Sequence, residues 1–479
     1  MTQDIQDFEP VFNDAVARIT AHISGQQRAE TPASGYAPLR DILKSLDAQR
    51  WIRDGGMDRA QFSGFLENYL KHSVQLHHPM HIAHQVAVPD YPAALAEMIT
   101  GFMNNPMAVY EMGPSAAALE FVIVNWMVEK IGWQPRPLKV GTARHGGGVL
   151  THGGSLANLT CLLAARANIA PEAWREGAPR DLVVLAPPLS HYSVERAVAI
   201  LGLGADAVRP LQAVAHGVVD PAGVREAIEA VEAEGRRCMA VIANACATAT
   251  GLHDPLREIG AVCQETSTWF HVDGCHGASA LLDTRTAGLV DGIELADSVV
   301  WDAHKMLQVP ALCAAALFRD DTHSAAAFQQ AASYLAYGED VDSYDSLPRA
   351  VECTKSSLAL KLFMNLAWRG EAALGDFIHA RYTAAREFAA QIAARPGFEV
   401  PFEPESNILM FRFGDDDALM VGIRDAMMRR GEAHITSAEV GGKRWLRLTV
   451  MNALTEAAHI DALLDLIEHT AQRLAAGAA

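Results

Sequence analysis

The chain has 479 residues, half of them apolar and only 20% charged, so it can bury more than one sizeable core, and wholesale disorder is excluded. Its 57 acidic residues outweigh 39 basic ones to give a net charge of −18, a field that repels phosphate backbones; with no local basic stripe, no nucleic-acid partner is expected. No apolar run approaches the roughly 18 residues of a membrane helix.

The start, MTQDIQDFEPVFNDAV, is acidic and lacks a charged-then-apolar signal pattern. Seven cysteines without a CxxC pair argue for free thiols in a reducing compartment. The expectation is a cytoplasmic protein with no membrane association.

Residues 1–90 read as a helical segment. VFNDAVARITAHI and LRDILKSL carry apolar residues at three- and four-residue spacing, on either side of a polar patch around Gln26–Gly35. Such an arm closes a core poorly by itself and suits packing on a partner subunit. Residues 91–370 alternate strand-like runs (DLVVLAPP, MAVIANAC, TWFHVDG, SVVWDAHK, CAAALFRD) with helical patterns (ANLTCLLAARA, SVERAVAIL, AGVREAIEAVEAEG). That alternation predicts a large α/β domain with a mostly parallel, doubly wound sheet. Residues 371–479 open with the helix AALGDFIHARYTAAREFAAQIAA, continue through strands NILMFRF and WLRLTV, and end in a helix: a small α+β domain.

Chemistry gathers at the predicted strand ends. Lys305 follows the apolar run SVVW, flanked by Asp302 and His304. A lysine at a buried strand end needs a charge partner, a lowered pKa or an imine, although taken alone it reads equally as a surface lysine. Asp273 ends TWFHVD at a carboxyl edge, where open α/β sheets bind ligands, although a carboxylate there can also simply cap a turn. Together the two suit pyridoxal phosphate, which needs an amine for its aldehyde and an acid to keep its ring nitrogen protonated. Gly153, Gly154 and Ser155 precede a strong helix, whose free N–H groups can cradle a phosphate, though a glycine pair more often marks an ordinary loop. His191 follows DLVVLAPP and can stack on a flat ring and act as acid or base, or merely satisfy a helix start.

The stretches NNPMAVYEMGP, THGGSLANL, HYSVERA, NACATATGLHDPL, HVDGCHGA and DAHKMLQVPALCAA, in this order, resemble the group II pyridoxal-phosphate-dependent amino-acid decarboxylases. That family includes glutamate, cysteine-sulfinate, aromatic-amino-acid and 2,4-diaminobutyrate decarboxylases. The similarity runs roughly from His78 to Asn452, and HKMLQVP and YDSLPRAVEC lean toward the glutamate and cysteine-sulfinate branch. The resemblance implies a fold type I, aspartate-aminotransferase-like large domain and a homodimer with its site at the subunit interface. It implies that Lys305 forms the imine with the cofactor, that Asp273 pairs with the pyridine nitrogen, and that His191 stacks on the ring. Gly154, Ser155, Asp302 and His304 fall in the cofactor site, the first two and His304 beside the phosphate. Tyr344 matches the tyrosine of a mobile catalytic loop that reprotonates the carbanion. Arg447 matches an arginine that receives a substrate carboxylate, and it reads equally as a structural arginine. Ala108 and Gln85 fall beside the substrate pocket.

Several positions depart from the family pattern: Ala247 for a threonine, Cys246 for a glycine, Asp302 for an asparagine, Cys275 for an alanine, Ser356 for an arginine, and Ala108 for an aromatic residue. They bear on substrate and outcome rather than on cofactor use. The expected activity is release of CO2 and a primary amine from a small polar amino acid, acidic or diamino. Oxidative decarboxylation–deamination to an aldehyde and aromatic-amino-acid decarboxylation stand as alternatives. His77, His78, His81 and His84 lack acidic or cysteine partners at ligand spacing, so no metal is expected. Cys161, Cys238, Cys263, Cys313 and Cys353 read as core fillers.

Overall fold

The computed structural model describes residues 5–138, 143–328 and 345–477. These divide into two compact units, one formed by residues up to His84 with Ala384–Glu403 and Ile408 onward, the other by Gln85–Thr383 with Pro404–Asn407.

The larger unit is the expected α/β domain. Its sheet has seven strands: β1 (Gly147–Thr151), β2 (Leu182–Ala186), β3 (Val208–Pro210), β4 (Arg237–Asn244), β5 (Trp269–Asp273), β6 (Ser298–Asp302) and β7 (Ala314–Phe318), in the order β1-β7-β6-β5-β4-β2-β3. β2 pairs in parallel with β3 and β4, β4 with β5, and β5 with β6; only β7 runs antiparallel, to both β6 and β1. β1, β2, β5, β6 and β7 are buried along their whole length, and β2 and β7 accordingly read as unbroken apolar runs rather than alternating ones. The helix Gly154–Ile169 lays Ala157, Cys161, Leu162, Ala164 and Ala165 into the same core as Val149, Val300 and Ala316 of the sheet. Because β1 and β6 both oppose β7, they point the same way. The start of that helix therefore lies at the same sheet edge as the ends of β2, β4, β5 and β6.

The second unit carries an antiparallel sheet of β8 (Phe398–Glu399), β9 (Ile408–Phe413), β10 (Thr436–Val440) and β11 (Lys443–Thr449), in the order β10-β11-β9-β8. The helices Asp417–Arg430 and Ala457–Ala475 cover it. The N-terminal segment, expected to close a core poorly, lends Ala33, Met80 and Ile82 to this core, beside Phe411, Leu446 and Ile460. Cys353 is exposed rather than a core filler, because Glu352 and Thr354 flank it where an apolar run was expected. Among the described residues, no helix is long and apolar enough to cross a membrane.

Candidate active site

The carboxyl edge of the large sheet opens into a cavity of about 270 Å³. Six segments line it, one of them the loop before β7 through Leu312. Gly153, Gly154 and Ser155 come from the helix start after β1, His191 and Ser193 from the loop after β2, and Cys246 and Thr248 from the loop after β4. Asp273, Cys275 and His276 follow from the end of β5, and Asp302, His304 and Lys305 from the end of β6. The two strand ends expected to carry an acid and an amine are thus adjacent in the sheet and face one cavity.

Asp273 is held by donors. Its Oδ2 accepts from Asn158 Nδ2 at 3.1 Å and its Oδ1 from the Cys275 backbone N–H at 3.2 Å. Burial by itself pushes this carboxyl up, but hydrogen bonding with Cys275 and the charges of Lys305, His271 and His191 outweigh it and hold Asp273 below the usual carboxylate range. Behind Asp273 runs a chain of hydrogen bonds. Trp269 Nε1 donates to Ser298 Oγ at 3.0 Å, and Ser298 Oγ lies 2.8 Å from His271 Nδ1. His271 Nε2 lies 2.9 Å from Asn158 Oδ1. Burial drives His271 down to about 4, so its ring is neutral, and one nitrogen accepts while the other donates. Asn158 then turns its amide nitrogen toward Asp273 and, at 3.0 Å, toward Ser193 Oγ. Ser193 Oγ in turn lies 2.7 Å from His191 Nδ1. The Ser193 backbone N–H also donates to that nitrogen at 3.2 Å, so a neutral His191 carries its proton on Nε2. Burial lowers His191, with Asp273 acting against that shift and Lys305 adding to it.

Lys305 Nζ lies 3.0 Å from Asp302 Oδ2. His304 turns its Nδ1 to the Cys313 carbonyl at 2.8 Å. Gly153 has φ +102°, and a Cβ on Gly154 would meet Cys275 Sγ at 2.5 Å and Asp302 Oδ1 at 2.9 Å. Glycine is therefore required at 154 for the helix start to approach the ends of β5 and β6. No side chain caps that helix. An uncapped helix start, a primary amine and an ionised acid around one cavity are the groups that could hold a phosphate-bearing aldehyde with a basic ring nitrogen.

Other expected residues fall elsewhere. Tyr344 lies outside the described residues. Gln85 is half-buried, its Nε2 lacks a hydrogen-bond partner among the described residues, and it does not line the cavity. Ala108 does not line it either; its carbonyl accepts from the Leu347 backbone N–H at 3.1 Å. Arg447 belongs to the second unit, where Nη1 donates to Thr449 Oγ1 at 2.9 Å and to the Ala83 carbonyl at 3.4 Å. Among the described residues, no group of His, Cys, Asp and Glu is arranged to hold a metal ion. Sequence reasoning missed Asn158, His271, Ser193, Thr248 and His276, the last pairing with Asn407 Oδ1 at 2.6 Å. A polar Asn inside an apolar helix and a histidine inside a buried strand were the available signals.

Residues 57–414 match the model of the pyridoxal-dependent decarboxylase conserved domain. The chain is 25% identical to L-2,4-diaminobutyrate decarboxylase of Acinetobacter baumannii, over 98% of this chain and 94% of that one. It is 32% identical to the acidic amino acid decarboxylase GADL1 of Xenopus tropicalis, over 76% and 70% of the two chains. The crystal structure of mouse CSAD superposes with a TM-score of 0.90 at 26% identity, covering 98% of this chain and 99% of that one.

Proposed function

The chain belongs to the pyridoxal-dependent decarboxylases and works with pyridoxal phosphate as a carbon–carbon lyase, and from that premise we propose that it removes the α-carboxylate of a small polar L-amino acid, acidic or diamino, to give CO2 and a primary amine. One observation carries the reading: Lys305 and Asp273, at the ends of neighbouring strands, line the same cavity as His191 and the glycine-led helix.

When bound, pyridoxal phosphate supplies an aldehyde that takes up amines and a protonated ring that accepts the electrons left on Cα as CO2 departs. Lys305 would hold the cofactor through Nζ, the amine that its aldehyde takes up. Gly154, Ser155 and His304 would hold the phosphate, and Asp302 would complete the cofactor site beside Lys305. Asp273 keeps a proton on the ring nitrogen; it can do so because Asn158 and the Cys275 N–H hold its carboxylate ionised and aimed. His191 covers the ring and, with Nδ1 occupied by Ser193, presents Nε2–H as its donor. Tyr344 or His191 returns the proton to Cα. The buried surroundings favour the loss of charge that turns a carboxylate into CO2.

The family resemblance alone proposes Arg447, Ala108 and Gln85 for substrate choice; none of the three lines the cavity. The acidic substrates in the name of the Xenopus relative and the diaminobutyrate in that of the Acinetobacter relative both support a small polar amino acid. We further propose that the protein works in the cytoplasm as a homodimer. All seven cysteines are free thiols, six of them buried. The helix Tyr91–Met103 exposes Tyr91, Leu95, Ile99 and Phe102 along one stripe, a surface that a second copy would cover.

The test is a screen of the common amino acids, with 2,4-diaminobutyrate and cysteine sulfinate, for CO2 release by the cofactor-loaded enzyme. Stoichiometric amine from one small polar substrate is expected. Aldehyde with peroxide in place of amine, or turnover of aromatic substrates alone, would overturn the reading. Sedimentation at micromolar concentration tests the dimer.

A further inference from the structure

Asp302 has a bonding pattern unlike that of its neighbour Asp273. It is 1% exposed at the end of β6, with Oδ2 3.0 Å from Lys305 Nζ and 3.7 Å from His304 Nε2. Its other oxygen, Oδ1, is buried and has no hydrogen-bond partner among the described residues. The absence of a side chain at Gly154 alone makes room for it, since a Cβ there would sit 2.9 and 3.0 Å from the two carboxylate oxygens. A buried carboxylate with one oxygen unpaired is unfavourable unless a charge answers it. The cation that answers it here is Lys305.

Resting on the cofactor assignment above, we propose that Asp302 is a positioning residue: it is the counter-ion that keeps Lys305 Nζ an ammonium at the end of β6, and it thereby sets the pH at which this lysine becomes the amine that captures an aldehyde. Lys305 also faces Asp273 and Cys275 from β5 and His191 from the loop after β2, with His304 beside it in sequence. His276, Cys246 and His152 complete the titratable wall of the cavity. Burial opposes the ammonium, and Asp302, ahead of Cys275 and Asp273, more than compensates, so the charged form is favoured. Capture requires Nζ to give its proton to solvent; its lone pair then forms the C–N bond, and the aldehyde oxygen leaves as water. The carboxylate opposes the first step and afterwards favours a protonated nitrogen, so it moves both titrations to higher pH. An asparagine in its place would orient Nζ without either effect.

Cofactor-free wild type, Asp302→Asn and Asp302→Glu are each mixed with pyridoxal phosphate across a pH series. The rise of imine absorbance gives the rate, and borohydride trapping with mass analysis gives the stoichiometry. For Asp302→Asn the midpoint of the capture profile should fall by about one to three pH units, with Asp302→Glu restoring most of the shift. An unmoved midpoint in an Asp302→Asn protein that still loads cofactor overturns the proposal, because a merely structural role would change stoichiometry without moving the profile. If the variants do not fold, competitive acylation of wild-type lysines at graded pH decides. Lys305 must titrate above the ordinary lysine value of about 10.4, and a midpoint at or below that value overturns the pairing. Wild type that forms no reducible adduct while Lys305 still titrates high refutes the cofactor reading instead.

Discussion

His271 and His81 are both buried imidazoles kept neutral by desolvation, one in each unit of the molecule. Their partners differ. His271 is tied at both nitrogens, to Ser298 and to Asn158, and so fixes which way the Asn158 amide points. Among the described residues, His81 makes no hydrogen bond of normal geometry at either nitrogen, and the Ala33 backbone lends weak polar support. It packs edge-on against His434 at 4.7 Å and is driven down to about 3 by burial first and then by the proximity of His434 and His84. Burial alone yields a neutral imidazole that fills space. Burial with one donor and one acceptor partner yields a neutral imidazole that orients a neighbour, and here that neighbour holds the acid of the cavity.

The sharpest way to break this comparison is at the cavity itself. Lys305→Ala should reduce decarboxylation to background and abolish the borohydride-reducible adduct, as read by CO2 release and by intact mass. Asp273→Asn should leave the adduct but lower kcat by roughly 10- to 150-fold, the equivalent of one charge-assisted hydrogen bond. Asn158→Ala comes next. It strips donors from Asp273 and Ser193 and an acceptor from His271, each a buried polar group whose orphaning costs about 1–3 kcal/mol. Both the urea midpoint and kcat should fall, and the pH dependence of the cofactor absorbance should shift because Asp273 loses a donor. If Asn158→Ala changes stability alone, the orienting role of His271 through Asn158 is wrong.

The chemistry at the strand ends was legible because each apolar run stops at a residue that apolar surroundings do not tolerate without reason: Asp273 after TWFHV, Lys305 after SVVWDAH. What stayed hidden is long-range or weakly patterned. β1 is GGVLT, too rich in glycine to read as a strand, and β3 spans three residues. The helix Leu256–Glu265 was also missed, although LREIGAVCQE buries Leu256, Ile259, Gly260 and Cys263 at helical spacing. Asn158 and His271 stand 113 residues apart, and each looks like an isolated polar residue in an apolar element. Only the packing of the helix Gly154–Ile169 on the sheet makes them partners. Met80 and Ile82 were unreadable as core because the strands they pack on come more than 300 residues later.

The smallest effect belongs to His81, and its confinement to the acid side separates it from His271. Above about pH 6.5 an imidazole is neutral in both the folded and the unfolded chain, and the folded value near 3 has no consequence. As pH falls below about 6.5, the unfolded chain takes up a proton that folded His81 refuses. Stability therefore drops by about 1.4 kcal/mol per pH unit from this group, levelling off near pH 3. His81→Leu removes the titrating group while keeping the bulk, so the loss in urea midpoint between about pH 7.5 and about pH 5 should shrink, with the cofactor spectrum unchanged. His271→Phe removes a slope of the same sign that levels off near 4, but it also releases Asn158 and must disturb the spectrum and kcat at every pH. A full acid-side slope in His81→Leu would mean that its neighbours, His434 foremost, carry the titration, and a silent His271→Phe would erase the distinction between the two histidines.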